Sequence, residues 1–398
     1  MNADVAHVKS GQVVTATTTV QAVMAFAAFI LSAIAPAVAE DLDVSASLIG
    51  YQMALVFGSG ILTSLNAGTF IRRFGACRTS QISLSLGGIG CLITLYPHYI
   101  AIAIASVFIG LAYGLTNPSA SHLLSRLGNP QYRNLIFSIK QTGVPIGGAF
   151  AGLVAPSMAL AWGWKSVPVL GVIVIVALIA VLQIKRGLWD DDREKGASLT
   201  TNPLRDLRAT FQSKPLLWLA LTSVFFSMVQ LCLTAYLVTM LVEEISYSLV
   251  AAGFVLSVSQ GAAIGGRLFW GWLADRLQNG LLVLTVISVI VALCAFATVG
   301  LHDDWSTSIV WVLFAVFGMT AIGWNGVYFA EIARLSPEGK VSSATGGALV
   351  FTYSGVLAGP LLFMAVYEMV GSYTATFGYL GGIAFLGGIA ALIAGRVK

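Results

Sequence analysis

Long apolar segments recur along the whole chain of 398 residues. A bilayer core is ~30 Å thick, so a helix that crosses it needs about 20 mostly apolar residues. We assign twelve such segments, at 13–38, 47–71, 77–97, 99–125, 132–158, 165–184, 214–242, 247–272, 279–300, 306–332, 340–368 and 374–396. The sequence therefore predicts an all-α membrane protein with twelve transmembrane helices.

The basic residues predict how these helices are oriented. If the amino terminus is cytoplasmic, all of the 21 Lys and Arg residues except Lys165 lie at cytoplasmic helix ends or loops, or, for Lys140, in a helix that starts from that side. The opposite loops carry mostly acidic residues, such as Asp303 and Asp304. This is the positive-inside pattern, so we expect a multi-pass protein of the cytoplasmic (inner) membrane with both termini in the cytoplasm.

The composition excludes a soluble protein, because 57% of the residues are apolar and only 10% are charged. The net charge of +4 does not indicate nucleic-acid binding, since the basic residues lie where lipid headgroups are expected. The lipid bilayer and a small-molecule substrate are the partners we expect, and we expect a monomer.

A charged stretch divides the chain into two similar halves. Residues 185–213 are too polar to span a membrane, so we predict a cytoplasmic linker between six-helix bundles at 1–184 and 214–398. Four residues recur 208 positions later: Gly110, Asn117, Arg126 and Gly147 are followed by Gly318, Asn325, Arg334 and Gly355. Two parallel six-helix repeats are typical of one large class of transporters.

A short loop motif identifies the class more closely. Gly271-Trp-Leu-Ala-Asp275-Arg276 follows the eighth segment, and a weaker copy, Gly68-Thr-Phe-Ile-Arg72-Arg73, follows the second. This motif and the Trp162–Lys165 loop resemble the major facilitator superfamily over the whole chain. The resemblance implies two pseudo-symmetric bundles that transport a solute by alternating access, with Asp275 helping to close the cytoplasmic side. Arg72 stands where the family usually has this aspartate, so the first copy is incomplete.

Lys140 is the strongest candidate for a substrate-binding residue. It lies about two turns, or ~12 Å, inside the fifth segment, where a charged side chain is costly unless it faces a cavity or a partner. Gln141 follows it, and the nearby Gly143 and Pro145 permit close helix contact and a kink. In some family members a cation at this position binds substrate. The alternative is that the long side chain extends to the membrane surface.

Two repeated asparagines form a second candidate group. Asn117 and Asn325 lie in segments that line the central cavity of the family that the chain resembles. The group is completed by polar or aromatic residues, namely Trp324, Tyr328, Tyr353, Gln230 and Gln260. Such residues either bind a substrate or tie two helices together.

Charged residues near the predicted cytoplasmic helix ends are candidates for a gate. Glu331 can pair with Arg334 at i,i+3 spacing, or with Arg267 or Arg276. The resemblance implies a salt-bridge cluster here, and proton carriage by Glu331 is the alternative. The predicted gating residues are Gly68, Arg72, Arg73, Arg267, Gly271, Asp275, Arg276, Glu331 and Arg334.

We therefore expect a secondary active transporter, a symporter of a small organic anion such as a carboxylate, with protons as a possible coupling ion. A drug or metabolite exporter of the same fold is the second hypothesis, and a membrane sensor that transports nothing is the third. No nucleotide-binding loop, metal-ligand cluster or catalytic triad is visible in the sequence, so we expect neither an enzyme nor a cofactor or metal.

Overall fold

The computed structural model describes residues 3–34, 38, 41–43, 46–198, 213–247 and 249–397, and these residues form helices joined by short connections. Twelve of the helices, two of them interrupted, follow the apolar segments. They are α1 (Ala3–Ala33), α2 (Ala46–Phe74), α3 (Ala76–Thr94), α4 (Tyr99–Leu127), α5 (Arg133–Gln141 and Gly143–Trp162), α6 (Ser166–Trp189), α7 (Lys214–Glu243), α8 (Leu249–Leu277), α9 (Gly280–Val299), α10 (Thr307–Ala321 and Asn325–Leu335), α11 (Val341–Val370) and α12 (Tyr373–Arg396).

Most of these helices can span a membrane. Within the described residues, nine helical stretches are long and apolar enough to do so, in α1, α2, α4, α6, α7, α9, α10, α11 and α12. Many of their apolar side chains face outward, such as Ile184 and Leu361, which are 77% and 74% exposed. The predicted all-α membrane fold is confirmed, and the protein is a multi-pass membrane protein.

Helix packing repeats between the two halves, as the sequence repeat predicts. Gly110 in α4 and Gly318 in α10 leave no space for a side chain. A Cβ atom at Gly110 would lie 2.2 Å from the carbonyl oxygen of Val56 in α2, and one at Gly318 would lie 2.2 Å from the carbonyl oxygen of Ser259 in α8. These small residues let α4 and α10 pack closely against equivalent helices.

A second pair of glycines extends this symmetry. A Cβ atom at Gly147 in α5 would lie 2.2 Å from the Ala22 carbonyl oxygen in α1, and one at Gly355 in α11 would lie 2.3 Å from the Val224 carbonyl oxygen in α7. The first and fifth helices of each half therefore pack in the same way.

The described residues divide into two compact units, and each unit includes a short segment from the other half of the sequence. The N-unit holds the described parts of 1–130, 140–210 and 336–350, and the C-unit holds those of 131–139, 211–335 and 351–397. The start of α5 thus belongs to the C-unit and the start of α11 to the N-unit, which the predicted boundaries did not anticipate. Helix α6 continues to Trp189, so the predicted linker begins within a helix.

Two helices are interrupted beside candidate site residues. Helix α5 breaks at Thr142, where Pro145 has no N–H to donate to the preceding turn. Helix α10 breaks between Ala321 and Asn325, where the Gly323 N–H bonds to the Thr320 carbonyl in a tighter turn. Lys140 and Asn325 therefore lie at the ends of helical pieces.

Candidate functional site

The N-unit buries Lys140 among amide oxygens. The residue is only 2% exposed. Its Nζ donates hydrogen bonds to Oε1 of Gln21 in α1 (2.6 Å), to Oδ1 of Asn117 in α4, and to Oε1 of Gln141 (3.4 Å). These amide oxygens accept hydrogen bonds from the ammonium group, so they orient it and partly replace its hydration.

Glycines in α5 bring α1 close enough to make this cluster. A Cβ atom at Gly143 would lie 2.5 Å from the Thr18 carbonyl oxygen and 2.9 Å from the Gln21 Cβ. Gln21 itself is buried, and its Nε2 donates to Tyr113 Oη of α4 at 3.3 Å. Three helices are thus tied to one another around Lys140.

Two other residues predicted to bind substrate, Asn117 and Gln141, accept hydrogen bonds from Lys140. The sequence analysis did not identify Gln21, although a glutamine within a predicted transmembrane segment indicates a polar contact. The ammonium group is buried among side chains rather than extended to an exposed helix end. Binding of a substrate there remains a prediction.

The C-unit contains a separate polar and aromatic cluster. Gln230 Oε1 in α7 accepts hydrogen bonds from Trp324 Nε1 (3.0 Å) and from Asn325 Nδ2 (3.1 Å). The Trp324 ring packs edge-on against Phe226 and Tyr328, with ring centroids 5.3 and 5.2 Å away. The break in α10 lets Trp324 and the adjacent Asn325 reach the same glutamine oxygen.

The other predicted members of this group lie elsewhere in the C-unit. Tyr353 is buried on α11, and Gln260 is half-buried on α8. The two repeated asparagines have different partners: Asn117 accepts from Lys140, whereas Asn325 donates to Gln230. The position 208 residues after Lys140 is Ala348, so the second half has no equivalent cation.

Asp275 caps the start of α5 within the C-unit. Its Oδ1 accepts from the Asn134 backbone N–H (3.0 Å) and Nδ2 (2.8 Å), and its Oδ2 accepts from the Leu135 N–H (2.8 Å). A carboxylate at a helix amino terminus satisfies unpaired N–H groups and complements the helix dipole. A residue of the second sequence half therefore holds a helix of the first half.

The glycines of the loop motif make matching contacts in both units. A Cβ atom at Gly271 would lie 2.3 Å from Ser138 Oγ in α5, and one at Gly68 would lie 2.0 Å from Ser343 Oγ in α11. Each motif glycine thus lets its helix touch the first turns of a helix from the other half.

Within the described residues, the carboxylate cap is seen in one copy of the motif. Arg72, at the position that matches Asp275, has an exposed side chain, and its carbonyl accepts the Glu194 N–H at 2.8 Å. Helix α11 has no acidic residue in its first turn. Arg73 Nη1 donates to the Ala197 carbonyl at 2.8 Å. The departure from the family motif therefore corresponds to a structural difference between the copies.

Glu331 pairs with Arg334, as their spacing predicts. Arg334 Nη2 and Nε lie 2.6 and 2.9 Å from Glu331 Oε2. Arg267 is 2% exposed, and its Nε donates to the Ile322 carbonyl at the break of α10 (3.2 Å). The Arg276 guanidinium lies 5.4 Å from the centroid of the Trp272 ring.

The segment that follows α6 contains a second helix cap, which the sequence reasoning missed. Asp190 Oδ1 accepts the Cys77 N–H (2.7 Å), and its Oδ2 accepts the Arg78 N–H (3.0 Å) at the start of α3. Gly75, with φ of 91°, leaves the space: a Cβ atom there would lie 2.2 Å from Asp190 Cγ. The start of the predicted linker is therefore attached to the N-unit.

The next two aspartates bind the end of α4. Arg126 forms ion pairs with Asp191 (2.5 Å) and with Asp192, and His122 Nε2 lies 2.6 Å from Asp192 Oδ2. Burial raises the pKa of Asp192, but hydrogen bonds from His122 and Arg126 outweigh this and hold the pKa well below its usual range. Asp192 is therefore ionised at neutral pH and stays paired.

Comparison with known proteins identifies the family. The family model described as Major Facilitator Superfamily matches residues 17–360. The chain is 29% identical over 353 residues to the 3-(3-hydroxy-phenyl)propionate transporter of Escherichia coli (strain K12). This alignment covers 86% of this chain and 83% of that one. It is 22% identical over 383 residues to the hexuronate transporter of Bacillus subtilis (strain 168), covering 91% and 89%.

A solved structure shows the same fold. The crystal structure of a human organic anion transporter superposes with a TM-score of 0.76, and the match covers 96% of this chain and 99% of that chain. The sequence identity is 14%, so the likeness concerns the fold alone.

Proposed function

This chain belongs to the Major Facilitator Superfamily, and from that premise we propose that it is a secondary transporter of a small organic anion whose carboxylate binds Lys140. The protein is a transporter rather than an enzyme.

The observation that carries this proposal is the burial of the Lys140 ammonium among neutral amide oxygens. A charged side chain inside a membrane protein is costly and is retained chiefly where function requires it. Amide oxygens lower that cost and fix the ammonium group in position, where it can also donate to a carboxylate. A carboxylate that binds there gains a charge-assisted hydrogen bond away from bulk water.

The relatives support an anionic substrate. A hydroxyphenylpropionate and a hexuronate share one acidic group and carry hydroxyl groups, although their carbon skeletons differ. A buried cation such as Lys140 can recognise the shared group through a charge-assisted hydrogen bond. We therefore propose a hydroxylated carboxylate as the substrate class.

We propose that Asp275 and Glu331 hold the cytoplasmic ends of helices during the cycle. Asp275 fixes the start of α5, the same helix that carries Lys140. Release of the Asp275 contacts would free the first turns of α5 and couple the gate to the substrate site. Glu331, paired with Arg334, has a structural role in this scheme.

Proton coupling completes the proposal. One monoanion that enters with one proton moves no net charge, so the membrane potential does not oppose it. The positive-inside charge pattern supports a protein of the cytoplasmic membrane with both termini in the cytoplasm.

The test is uptake by purified protein in liposomes. Radiolabelled hydroxylated aromatic carboxylates and hexuronates are compared with their carboxamides, which keep the size and remove the charge. We expect uptake of at least one acid, none of its amide, and faster uptake when the side of entry is acidic. Equal uptake of acid and amide would refute the anionic substrate, and indifference to the pH gradient would refute proton coupling.

A further inference from the structure

A charged cleft lies at the end of α6 that the charge pattern places in the cytoplasm. It has a volume of about 360 Å³ and is lined by Gln183, Arg186, Gly187, Asp190, Asp191, Arg193 and Lys195. None of these residues belongs to the substrate cluster or the gate. The cleft is part of the N-unit, and all of its lining residues lie within the described chain.

The two acidic residues of the cleft are engaged by other groups. Both carboxylate oxygens of Asp190 accept backbone N–H groups of α3, and Asp191 is ion-paired with Arg126. Arg186 forms an i,i+4 ion pair with Asp190, but its Nε lies 3.7 Å from Oδ2, which is too far for a hydrogen bond. The lining thus has three cations and two carboxylates, and both carboxylates also bind groups outside the cleft.

One buried donor in the cleft lining has no hydrogen-bond partner. Among the described residues, Arg186 Nε is a buried nitrogen without an acceptor. A buried donor without an acceptor destabilises the protein, and the cost is larger for an ionised group. An anion with several oxygen atoms would satisfy it and would also neutralise Arg193 and Lys195.

The surface next to the cleft is apolar. Val181, Ile184 and Leu188 follow one another at helical spacing on α6 and are 58%, 77% and 62% exposed. In a multi-pass membrane protein such a stripe faces acyl chains. The stripe borders the cleft at one edge, because Ile184 lies three residues, about one helical turn, before the lining residue Gly187.

We propose that this cleft binds an anionic phospholipid of the cytoplasmic leaflet, with its phosphate at Arg186, Arg193 and Lys195 and an acyl chain along the α6 stripe. The arrangement matches both parts of such a molecule, and anionic lipids are concentrated where basic residues collect on the cytoplasmic side. The lipid would stabilise the segment after α6, whose aspartates bind the start of α3 and the end of α4. This inference does not depend on which substrate the protein transports.

The experiment measures lipid retention by native mass spectrometry on full-length protein in a neutral detergent. Phosphatidylglycerol competes with phosphatidylcholine of the same acyl chains. We expect wild type to retain phosphatidylglycerol preferentially and the double variant Arg193→Gln/Lys195→Gln to lose that preference by on the order of tenfold or more. The matched control, Lys214→Gln/Arg396→Gln, removes the same charge from exposed positions of the C-unit and should keep it.

Three outcomes would overturn the proposal. They are an unchanged preference in the double variant, an equal loss in the control pair, and displacement of phosphatidylglycerol by excess inorganic phosphate, which would indicate a soluble phosphate ligand. If the double variant does not fold, the single variant Lys195→Gln decides, because this exposed side chain can be removed without loss of packing. Its preference should fall several-fold, and full retention would contradict the proposal.

Discussion

Lys140 Nζ lies 2.6 Å from Gln21 Oε1, so the buried cation of α5 is held by α1. The two residues are 119 positions apart in the sequence. Gln21 is an uncharged residue that sets the position of a charged one. Its replacement can therefore change substrate binding without removing the cation.

We predict that Gln21→Glu weakens substrate binding. The new carboxylate would pair with the ammonium group and compete with the carboxylate of the substrate. We expect KM for uptake to rise at least tenfold, about 1.4 kcal/mol of lost binding, while the protein stays folded. The matched control is Gln12→Glu, which makes the same change at an exposed position of α1. An unchanged KM in Gln21→Glu would show that position 21 is not beside the bound anion.

Asp275→Asn should loosen the start of α5. Asparagine keeps the size of the side chain, but it removes the charge that two backbone N–H groups face. Loss of charge at a helix terminus costs ~0.3–1 kcal/mol or more. Hydrogen exchange of a peptide that covers residues 133–139 should therefore become severalfold faster. Asp303→Asn, in an exposed connection, serves as the control; equal exchange in both variants would argue against the cap.

Gly326→Ala should disturb the same region by crowding. A Cβ atom at Gly326 would lie 2.3 Å from the backbone Cα of Ser138, so a change of rotamer cannot relieve the clash. Overpacking of this kind typically costs about 1–3 kcal/mol. We expect a lower melting temperature and slower transport. Gly382→Ala adds the same methyl group where the structure leaves open space, and it should behave like wild type. A normal melting temperature in Gly326→Ala would contradict this packing.

The predicted topology can be tested with two engineered cysteines. Asp303 and Gly196 are both exposed, and the four native cysteines are buried and give little background. We expect an impermeant thiol reagent added outside intact cells to label Asp303→Cys but not Gly196→Cys. After permeabilisation both sites should react. Labelling of Gly196→Cys in intact cells would reverse the assigned orientation.

Features that depend on hydrophobicity and on local spacing could be predicted from the sequence. The ends of the helices lie near the ends of the apolar segments, apart from α1, which begins at Ala3 rather than near residue 13. The pair Glu331–Arg334 follows from i,i+3 spacing. Lys140 stood out because a cation within an apolar segment is unusual.

Features that depend on packing between distant segments could not be predicted. Gln21 reaches Lys140 only because Gly143 lets α1 and α5 approach each other. Asp190 belongs to a charged stretch that is typical of a solvated linker, and its role as a cap becomes visible only once the start of α3 is beside it. The break in α10 likewise has no strong sequence signal other than Gly323.

The central claim is that Lys140 binds the carboxylate of the substrate. Its most direct test is uptake of a transported acid by liposomes that contain wild type, Lys140→Gln, or the control Lys165→Gln. The control removes one positive charge from an exposed position beside Trp164. We predict that Lys140→Gln loses saturable uptake while remaining folded and that Lys165→Gln transports like wild type. Equal rates and equal KM values for Lys140→Gln and wild type would contradict the claim.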